Sequence, residues 1–193
     1  MKILEDRIRK DGKALNEDVL LVDSFLNNQV DCALMNEIGK EFARLFAGDA
    51  VTRVVTVESS GIAPAAMAAL NMGVPMVILK KSPSVILNGD VLQTEVFSFT
   101  KQKSYQLTLK PKYVQPGDRV LLIDDFLAMG EAATGAGKLI REAGAEVAAI
   151  GIVIEKSFQP GRQKLIDEGY KVISLARVAE MGENLIRFAQ ADA

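Results

Sequence analysis

The hydrophobic and polar positions of the chain alternate between short apolar runs and longer patterns of helical period. Residues 61–71 and 131–144 have apolar positions at helical spacing, and they lie between apolar runs that are short enough to be strands. The predicted strands are residues 53–57, 75–79, 120–124 and 147–154. Because strands that alternate with helices are typical of βαβ units, the pattern predicts an α/β fold with a parallel sheet.

The segment before the first of these strands has a helical pattern. Residues 3–13 read as a charged, weakly amphipathic helix. A longer helix follows, with Asp31 as its predicted N-cap and Gly48 just past its end. Its apolar residues at helical spacing are Leu34, Ile38, Phe42 and Leu45.

The pattern changes between residues 80 and 117, where strand-like segments follow one another without a helix. These segments are Ser84–Leu87, Gln93–Phe99 and Tyr105–Leu109, and Asn88-Gly89 is a predicted turn. We interpret this region either as an antiparallel excursion from the sheet or as a mobile flap.

Composition excludes several classes of function. The 193 residues suffice for one domain with a buried core, and the net charge of −2 favours neither nucleic acid nor an anionic membrane as a partner. Histidine is absent, which excludes His-containing catalytic triads and zinc sites built on histidine. The single cysteine, Cys32, and the charged N-terminal segment favour a cytoplasmic protein. The uncharged stretch 59–79 is interrupted by glycine and proline, so we predict no membrane span there.

The most informative segment is VLLIDDFLAMGEAATG, residues 120–135. An apolar strand leads into Asp124 and Asp125, and ligands of open α/β sheets bind at the carboxyl ends of the strands. The small residues 128–132 then open a helix, whose free N–H groups and positive dipole end suit a phosphate. Two carboxylates repel a bare phosphate, so the ligand should also carry hydroxyls or a metal ion, as a phosphorylated ribose does. The alternative is a plain connection whose aspartates only cap the helix, although two in a row exceed what a cap requires.

Two further segments should lie at the same edge of the sheet. Residues 58–61, ESSG, also join a strand to a helix and give a second turn that suits an anion, unless Ser60 merely caps that helix. Lys80 and Lys81 end the predicted strand 75–79, so at least one of them should lie near this edge. A cation there would stabilise a departing anion, and the alternative is that both lysines are solvated surface residues.

Residues 120–135 resemble the signature of the phosphoribosyltransferases that bind phosphoribosyl pyrophosphate (PRPP). Met129 and Ala132 stand where this family usually has threonine, so two side-chain hydroxyls are missing while the backbone N–H groups remain. The similarity covers nearly the whole chain and points to the bacterial members that act on xanthine. The other segments that carry it are DSFLNNQ (23–29), VESSGIAP (57–64), FSFTKQ (97–102) and IVIEKSFQPGR (152–162).

The resemblance implies the type I phosphoribosyltransferase fold, which is an open, mainly parallel twisted sheet with helices on both faces. It implies a single domain over residues 1–193, with a core of about 36–154. A small hood would be built from about 1–35 and 155–193. Segment 97–102 resembles the mobile loop with which this family closes over its substrates.

The resemblance also assigns residues to roles. Asp124 and Asp125 would hold the ribose hydroxyls, and together with Lys81 they are the predicted catalytic residues. The predicted PRPP-binding residues are Ala128, Met129, Gly130, Glu131, Ala132, Ser59, Ser60 and Gly61. Mg²⁺ is the implied cofactor and would be held mainly by the substrate, with no residue certain to bind it directly.

Lys156 is the predicted specificity residue. An ammonium only donates hydrogen bonds, so it can pair with the 6-oxo group or N7 of a purine but not with the 6-amino group of adenine. The resemblance makes Lys156 a base contact, with Leu20 and Asn27 on the other side of the purine. The amide of Asn27 can serve the 2-oxo group of xanthine or the 2-amino group of guanine. The residues therefore indicate a 6-oxopurine, and the resemblance indicates xanthine; Phe126 or Phe158 either stacks on the base or packs in the core.

These observations favour an enzyme that transfers the phosphoribosyl group from PRPP to xanthine, giving xanthosine 5′-monophosphate and pyrophosphate. A homodimer is expected from the resemblance. The alternatives are a guanine- or hypoxanthine-preferring enzyme and a regulator of the same fold. A regulator would need an added DNA-binding domain or a basic face, which the length and net charge of the chain do not favour.

Overall fold

The computed structural model describes residues 1–81, 91–98, 102–183 and 185–189. The predicted strand Ser84–Leu87 and the turn Asn88-Gly89 lie outside these residues. The elements before the central sheet are helix α1 (Lys2–Asp11), the two-residue strands β1 (Lys13–Ala14) and β2 (Leu20–Leu21), a π-helical turn (Asp23–Asn27) and helix α2 (Cys32–Leu45). Asp31 caps α2 as predicted, because its side chain accepts a hydrogen bond from Leu34 N at 3.1 Å.

The rest of the chain alternates strands and helices around a hairpin. The elements are β3 (Arg53–Val57), α3 (Ile62–Met72), β4 (Met76–Leu79), β5 (Leu92–Ser98), β6 (Lys103–Leu109), β7 (Arg119–Leu127), α4 (Glu131–Glu142), β8 (Glu146–Lys156), α5 (Gly161–Asp167), β9 (Val172–Gly182) and β10 (Leu185–Phe188). Short 3-10 turns lie at Ala47–Asp49 and Pro111–Tyr113.

A six-stranded sheet in the order β10-β9-β8-β7-β3-β4 forms the centre of the molecule. Every neighbouring pair is parallel except β10 with β9. The prediction of a mainly parallel α/β sheet is therefore confirmed. Strands β9 and β10 come from the segment that the resemblance assigns to the hood, and the division of the chain into core and hood stays a prediction.

Two of the strands are longer than their apolar runs. Strand β7 continues past the predicted end at residue 124, because Phe126 pairs with Ile154 of β8 and Leu127 with Glu155. Strand β8 likewise continues to Lys156, which pairs with Val178 of β9. The predicted end of β7 was therefore wrong: polar side chains at the edge of a sheet interrupt the apolar pattern while the backbone ladder goes on.

Buried side chains cover both faces of the sheet. On one face, α1, α2 and α3 pack against a cluster that includes Phe25, Phe42 and Leu121. On the other face, α4, α5 and the β5–β6 hairpin pack against a cluster that includes Leu122 and Leu139. The prediction of helices on both faces is therefore confirmed. No helix within the described ranges is long and apolar enough to cross a membrane.

The β5–β6 pair is the antiparallel excursion that the pattern of residues 80–117 predicts. It lies on α4, and the contact is close: a Cβ on Gly135 would stand 2.6 Å from Cγ2 of Val96. A bridge between Lys80 and Thr108 joins the hairpin to the end of β4. The hairpin therefore extends over the carboxyl edge of the sheet, where the predicted site lies.

Candidate active site

A cavity of about 440 Å³ opens at the carboxyl ends of the parallel strands. Residues 124–133, at the end of β7 and the start of α4, form one wall of it. Lys81 after β4 forms a second wall, and residues Phe97 and 103–105 of the hairpin form a third. The structure thus brings together Lys81, both aspartates and the turn 128–132, as the sequence predicts.

The two aspartates occupy different environments. Asp124 is 7 % exposed, while Asp125 is half-buried. The amide of Asp125 donates to Oδ1 of Asp124 at 3.0 Å. Neither carboxylate caps α4, since its N-cap is Gly130 and no side chain bonds to the helix start. The alternative in which the aspartates only cap the helix is therefore wrong, and both side chains face the cavity instead.

Burial and charge shift the pKa values of this site. The pKa of Asp124 lies well above that of an ordinary aspartate, first because burial penalises its charged form and then because Asp125 lies beside it. The ammonium of Lys81 acts in the opposite direction. Burial, with a contribution from Asp124, raises the pKa of Tyr105 to about 12, so its hydroxyl stays neutral at physiological pH. The ring of Tyr105 lies 5.4 Å from Nζ of Lys81, close enough for a cation–π contact.

The turn 128–132 has the free donors that a phosphate needs. Gly130 has a left-handed backbone (φ 83°), and the first amide to bond within α4 is that of Thr134, which donates to Gly130 O at 2.9 Å. The amides of residues 131–133 therefore have no partner inside the helix. The side chain of Glu131 is engaged by Lys164 of α5 at 2.8 Å, so any contribution of Glu131 to a ligand comes from its backbone.

The turn 58–61 lies against Asp124. A Cβ on the buried Gly61 would stand 3.4 Å from Oδ1 of Asp124 and 2.5 Å from Oγ1 of Thr56, so only glycine fits. Gly61 is also the N-cap of α3 and no side chain bonds there, hence the alternative in which Ser60 caps this helix is wrong. The peptide bond between Glu58 and Ser59 is cis. Residues 59–61 do not line the cavity themselves. They follow β3, and Gly61 lies next to Asp124, which does line it.

Glu58 ties this turn to the end of β4. Its carboxylate accepts a hydrogen bond from the backbone amide of Lys81 and pairs with Nζ of Lys80 at 3.1 Å. Burial alone would raise the pKa of Glu58, but these two contacts outweigh it and lower the pKa. Because Lys80 is engaged by Glu58, Lys81 is the lysine whose ammonium faces the cavity.

Of the predicted purine-binding residues, Lys156 ends β8 and contacts the segment that carries Leu20. Nζ of Lys156 lies 5.7 Å from the ring centroid of Phe126 and donates to the backbone carbonyl of Asp18. Burial lowers the pKa of Lys156, and Asp18 partly opposes this. Phe126 packs against the buried cluster that contains Leu20. Asn27 is exposed at the end of the π-helical turn, and its side chain bonds to none of the residues that the structure describes.

Comparison with known proteins decides the family. The model of the phosphoribosyl transferase domain matches residues 22–185 of this chain. The chain belongs to the phosphoribosyltransferase family. Xanthine phosphoribosyltransferase 1 of Clostridium botulinum is 60% identical over 190 residues, which are 98% of this chain and 100% of that protein. Xanthine phosphoribosyltransferase of Lactococcus lactis is 53% identical over 192 residues, which are 100% of this chain and 98% of that protein.

Solved structures of the phosphoribosyltransferase family share the fold. An adenine phosphoribosyltransferase from Thermoanaerobacter pseudethanolicus superposes with a TM-score of 0.76 at 25% identity, over 90% of this chain and 99% of that chain. An adenine phosphoribosyltransferase from Giardia lamblia, solved with 9-deazaadenine, gives a TM-score of 0.77 at 25% identity, over 90% and 97% of the two chains. The type I phosphoribosyltransferase fold predicted from the sequence is thus confirmed.

The hairpin contributes residues of this phosphoribosyltransferase site that sequence reasoning missed. Tyr105 was predicted only as part of a strand, since an aromatic residue in an alternating pattern usually packs in a core. Phe97 belongs to the predicted mobile loop and does line the cavity, but residues 99–101 of that loop lie outside the described ranges. Phe158, a candidate for stacking, is 43 % exposed, whereas Phe126 lies beside Lys156.

Proposed function

We propose that this phosphoribosyltransferase transfers the 5-phosphoribosyl group of PRPP to xanthine, giving xanthosine 5′-monophosphate and pyrophosphate. The observation that carries the proposal is the meeting at one edge of the sheet of two carboxylates, a lysine, the turn 128–132 with its free backbone donors and the turn 58–61. A ligand with phosphates at both ends and hydroxyls between them matches this arrangement. The choice of xanthine is supported by full-length relatives, 53% and 60% identical, that carry xanthine phosphoribosyltransferase as their name.

The proposed mechanism assigns the ends of PRPP to the two turns. The 5′-phosphate would bind the turn 128–132 through backbone N–H groups at the start of α4. The pyrophosphate would bind between the turn 58–61 and Lys81. The ribose would then lie over Asp124 and Asp125, whose carboxylates accept hydrogen bonds from its hydroxyls.

The enzyme would accelerate the reaction by stabilising the charges that develop in the transition state. As the bond from C1′ of the ribose to the pyrophosphate breaks, positive charge develops on the ribose ring and negative charge on the leaving group. The two aspartates lie where they would stabilise the ring, and Lys81 lies where it would stabilise the pyrophosphate. The incoming purine nitrogen attacks the same carbon, so the enzyme needs no covalent intermediate.

The donor set suits Mg²⁺ bound chiefly through the substrate. Asp124 and Asp125 supply the hard oxygen ligands that Mg²⁺ prefers. Among the described residues, no group of three or more Cys, Asp or Glu side chains could hold a metal ion without a substrate. A bound Mg²⁺ would neutralise the charge of the pyrophosphate, and the protein would contribute at most the two aspartates to its coordination.

The purine would bind between Lys156 and the hood segment that carries Leu20. An ammonium has three N–H donors, and in the structure one of them is used by the carbonyl of Asp18. The other two can serve O6 and N7 of a 6-oxopurine. Phe126, near the end of β7, lies beside Lys156 and is the aromatic residue proposed to contact the base.

The test is a spectrophotometric assay of nucleotide formation with PRPP and Mg²⁺ against xanthine, guanine, hypoxanthine and adenine. We expect xanthine to give the highest kcat/KM and adenine the lowest. Preference for guanine or hypoxanthine would support the proposed phosphoribosyl transfer and contradict the choice of xanthine as the substrate. No turnover with any base, despite measurable binding of PRPP, would favour a regulator of the same fold.

Removal of the Lys81 ammonium should mainly slow the chemical step. We expect Lys81→Met to lower kcat by about 10²-fold, since a preorganised cation acts on charge that develops in the transition state. The KM for xanthine should change little, because Lys156 and Lys81 lie at different ends of the site. Steady-state kinetics of the variant test this, with Lys40→Met on the exposed surface of α2 as the control. A loss in Lys40→Met as large as that in Lys81→Met would contradict the assignment.

Two broader expectations stay predictions. The homodimer expected from the resemblance can be tested by measuring the molar mass in solution by light scattering. A cytoplasmic location is supported by the exposed free thiol of Cys32, which a reducing compartment preserves, and fractionation of cells would test it.

A further inference from the structure

Helix α5 packs directly against the turn 128–132. The amide of Gly161 donates to the carbonyl of Ala128 at 2.9 Å. A Cβ on Gly161 would stand 2.3 Å from Ala128 O and 2.8 Å from Gly130 N, so no other residue fits without moving the turn. The approach from Gly130 is also tight, since a Cβ there would lie 3.2 Å from Cα of Gly161. The two glycines form a backbone-to-backbone contact that excludes side chains.

This contact determines which way the peptide after Ala128 points. In a trans peptide, the carbonyl oxygen and the amide hydrogen of the next residue point in opposite directions. Because the carbonyl of Ala128 points to α5, the amide of Met129 points away from α5. Met129 and the rest of the turn line the cavity, whereas Gly161 is not among its lining residues. Gly161 therefore turns a backbone donor toward the space where the 5′-phosphate would bind.

A second contact joins α5 to the same turn. Nζ of Lys164 pairs with Oε1 of Glu131 at 2.8 Å, and both side chains are about one-third exposed. Glu131 is the first residue of α4, so this pair fixes the helix start whose amides are free. The start of α5 is also joined to β8, because Arg162 pairs with the buried carboxylate of Glu155 at 2.9 Å.

We propose that α5 positions the 5′-phosphate turn, with Gly161 and Lys164 as positioning residues that set the direction of its backbone donors. The inference rests on the proposed function, because it assumes that the turn 128–132 binds the 5′-phosphate.

The experiment compares Gly161→Ala with the wild-type enzyme. The backbone of Gly161 does not have a positive φ, so the substitution changes the space at the contact and not the allowed conformation. Gly48→Ala is the matched control, because a Cβ there meets nothing within 4 Å. Dissociation constants are measured by calorimetry for ribose 5-phosphate and for pyrophosphate, and the KM values for PRPP and xanthine are measured in the assay.

For Gly161→Ala we expect the dissociation constant of ribose 5-phosphate and the KM for PRPP to rise by about tenfold or more, the effect of losing one charge-assisted hydrogen bond. Pyrophosphate binding and the KM for xanthine should stay within about twofold of the wild type, a pattern that general destabilisation does not produce. Lys164→Gln should shift the same two constants in the same direction by about threefold, which is the range of an exposed ion pair.

Three results would decide the matter. Binding of ribose 5-phosphate to both variants with the wild-type constant would overturn the inference and leave the proposed function intact. Equal weakening of ribose 5-phosphate and pyrophosphate would overturn it too, since it would indicate a general structural defect. If the wild-type enzyme bound neither ligand, both the proposed function and the inference would fail. Should Gly161→Ala not fold, Lys164→Gln gives the same comparison.

Discussion

Replacement of both Asp124 and Asp125 by asparagine should lower kcat/KM for nucleotide formation by about 10³-fold or more. The two carboxylates lie side by side in the cavity, where each would stabilise positive charge on the ribose ring. Removal of one preorganised electrostatic group from an active site typically costs 10²–10³-fold in rate. The loss in the double variant should appear in kcat, because asparagine still offers an amide oxygen to the ribose hydroxyls and retains part of the ground-state binding.

Thermodynamic stability provides an independent readout of the same site. The pKa of Asp124 is raised by burial, so the folded protein holds this proton more tightly than the unfolded chain does. Stability then falls as the pH rises from the ordinary aspartate pKa, about 3.9, to the higher folded value, and it stays reduced above that value. Asp124→Asn removes this penalty, so the variant should be more stable than the wild type at pH 8. The difference should disappear near pH 4.

Urea unfolding at both pH values, combined with steady-state kinetics, tests these expectations. Asp6→Asn is the matched control, since Asp6 lies on the exposed surface of α1 far from the cavity. The assignment would be contradicted if the double variant kept wild-type turnover. A loss of activity accompanied by a loss of stability at pH 8 would indicate a structural role for the pair.

The sequence predicted four strands of the central sheet and both strands of the hairpin, and it missed β1, β2, β9 and β10. Strands β3, β7 and β8 appear as apolar runs because helices or the hairpin cover both of their faces, whereas β4 is an apolar but half-buried strand at the edge of the sheet. Strand β9 was not predicted, since charged residues such as Arg177 and Glu180 interrupt its apolar pattern. Arg177 remains inside the fold because it pairs with the buried Glu155 at 3.2 Å, a contact with no local signature in the sequence.

Some residues of the candidate site could be predicted from the sequence and others could not. Aspartates and glycines that lie at the ends of consecutive βα units were predictable, because the topology of a parallel sheet brings these ends together. Tyr105 and Gly161 were not predictable as site residues. Each reaches the site through a contact with a segment remote in the chain: Tyr105 meets Lys81, and Gly161 meets Ala128. Such contacts depend on how the hairpin and α5 pack, and hydrophobic periodicity does not record this.

Loss of the Lys156 ammonium should remove purine selectivity while leaving PRPP binding intact. Lys156→Met keeps most of the unbranched side chain and removes all three donors, so a bound 6-oxopurine would have a buried carbonyl without a partner. An unpaired buried group together with a lost charge-assisted hydrogen bond costs about 3 kcal/mol, which corresponds to about 10²-fold in kcat/KM for xanthine. The KM for PRPP should stay within about twofold, because the turns 58–61 and 128–132 are untouched.

A second substitution at this position distinguishes a role in selectivity from a role in packing. The amide of Lys156→Gln can donate to a 6-oxo group or accept from a 6-amino group. The ratio of kcat/KM for xanthine to kcat/KM for adenine should therefore fall by more than the loss of kcat/KM for xanthine, because activity with adenine should rise. Lys40→Met is the control, as Lys40 lies on the surface of α2 and pairs with Glu37. If both Lys156 variants kept the wild-type order of the four bases, Lys156 would not select the purine. In that event the segment that contains Leu20 and Asn27, which the resemblance places on the other side of the purine, would be the next candidate for the source of specificity.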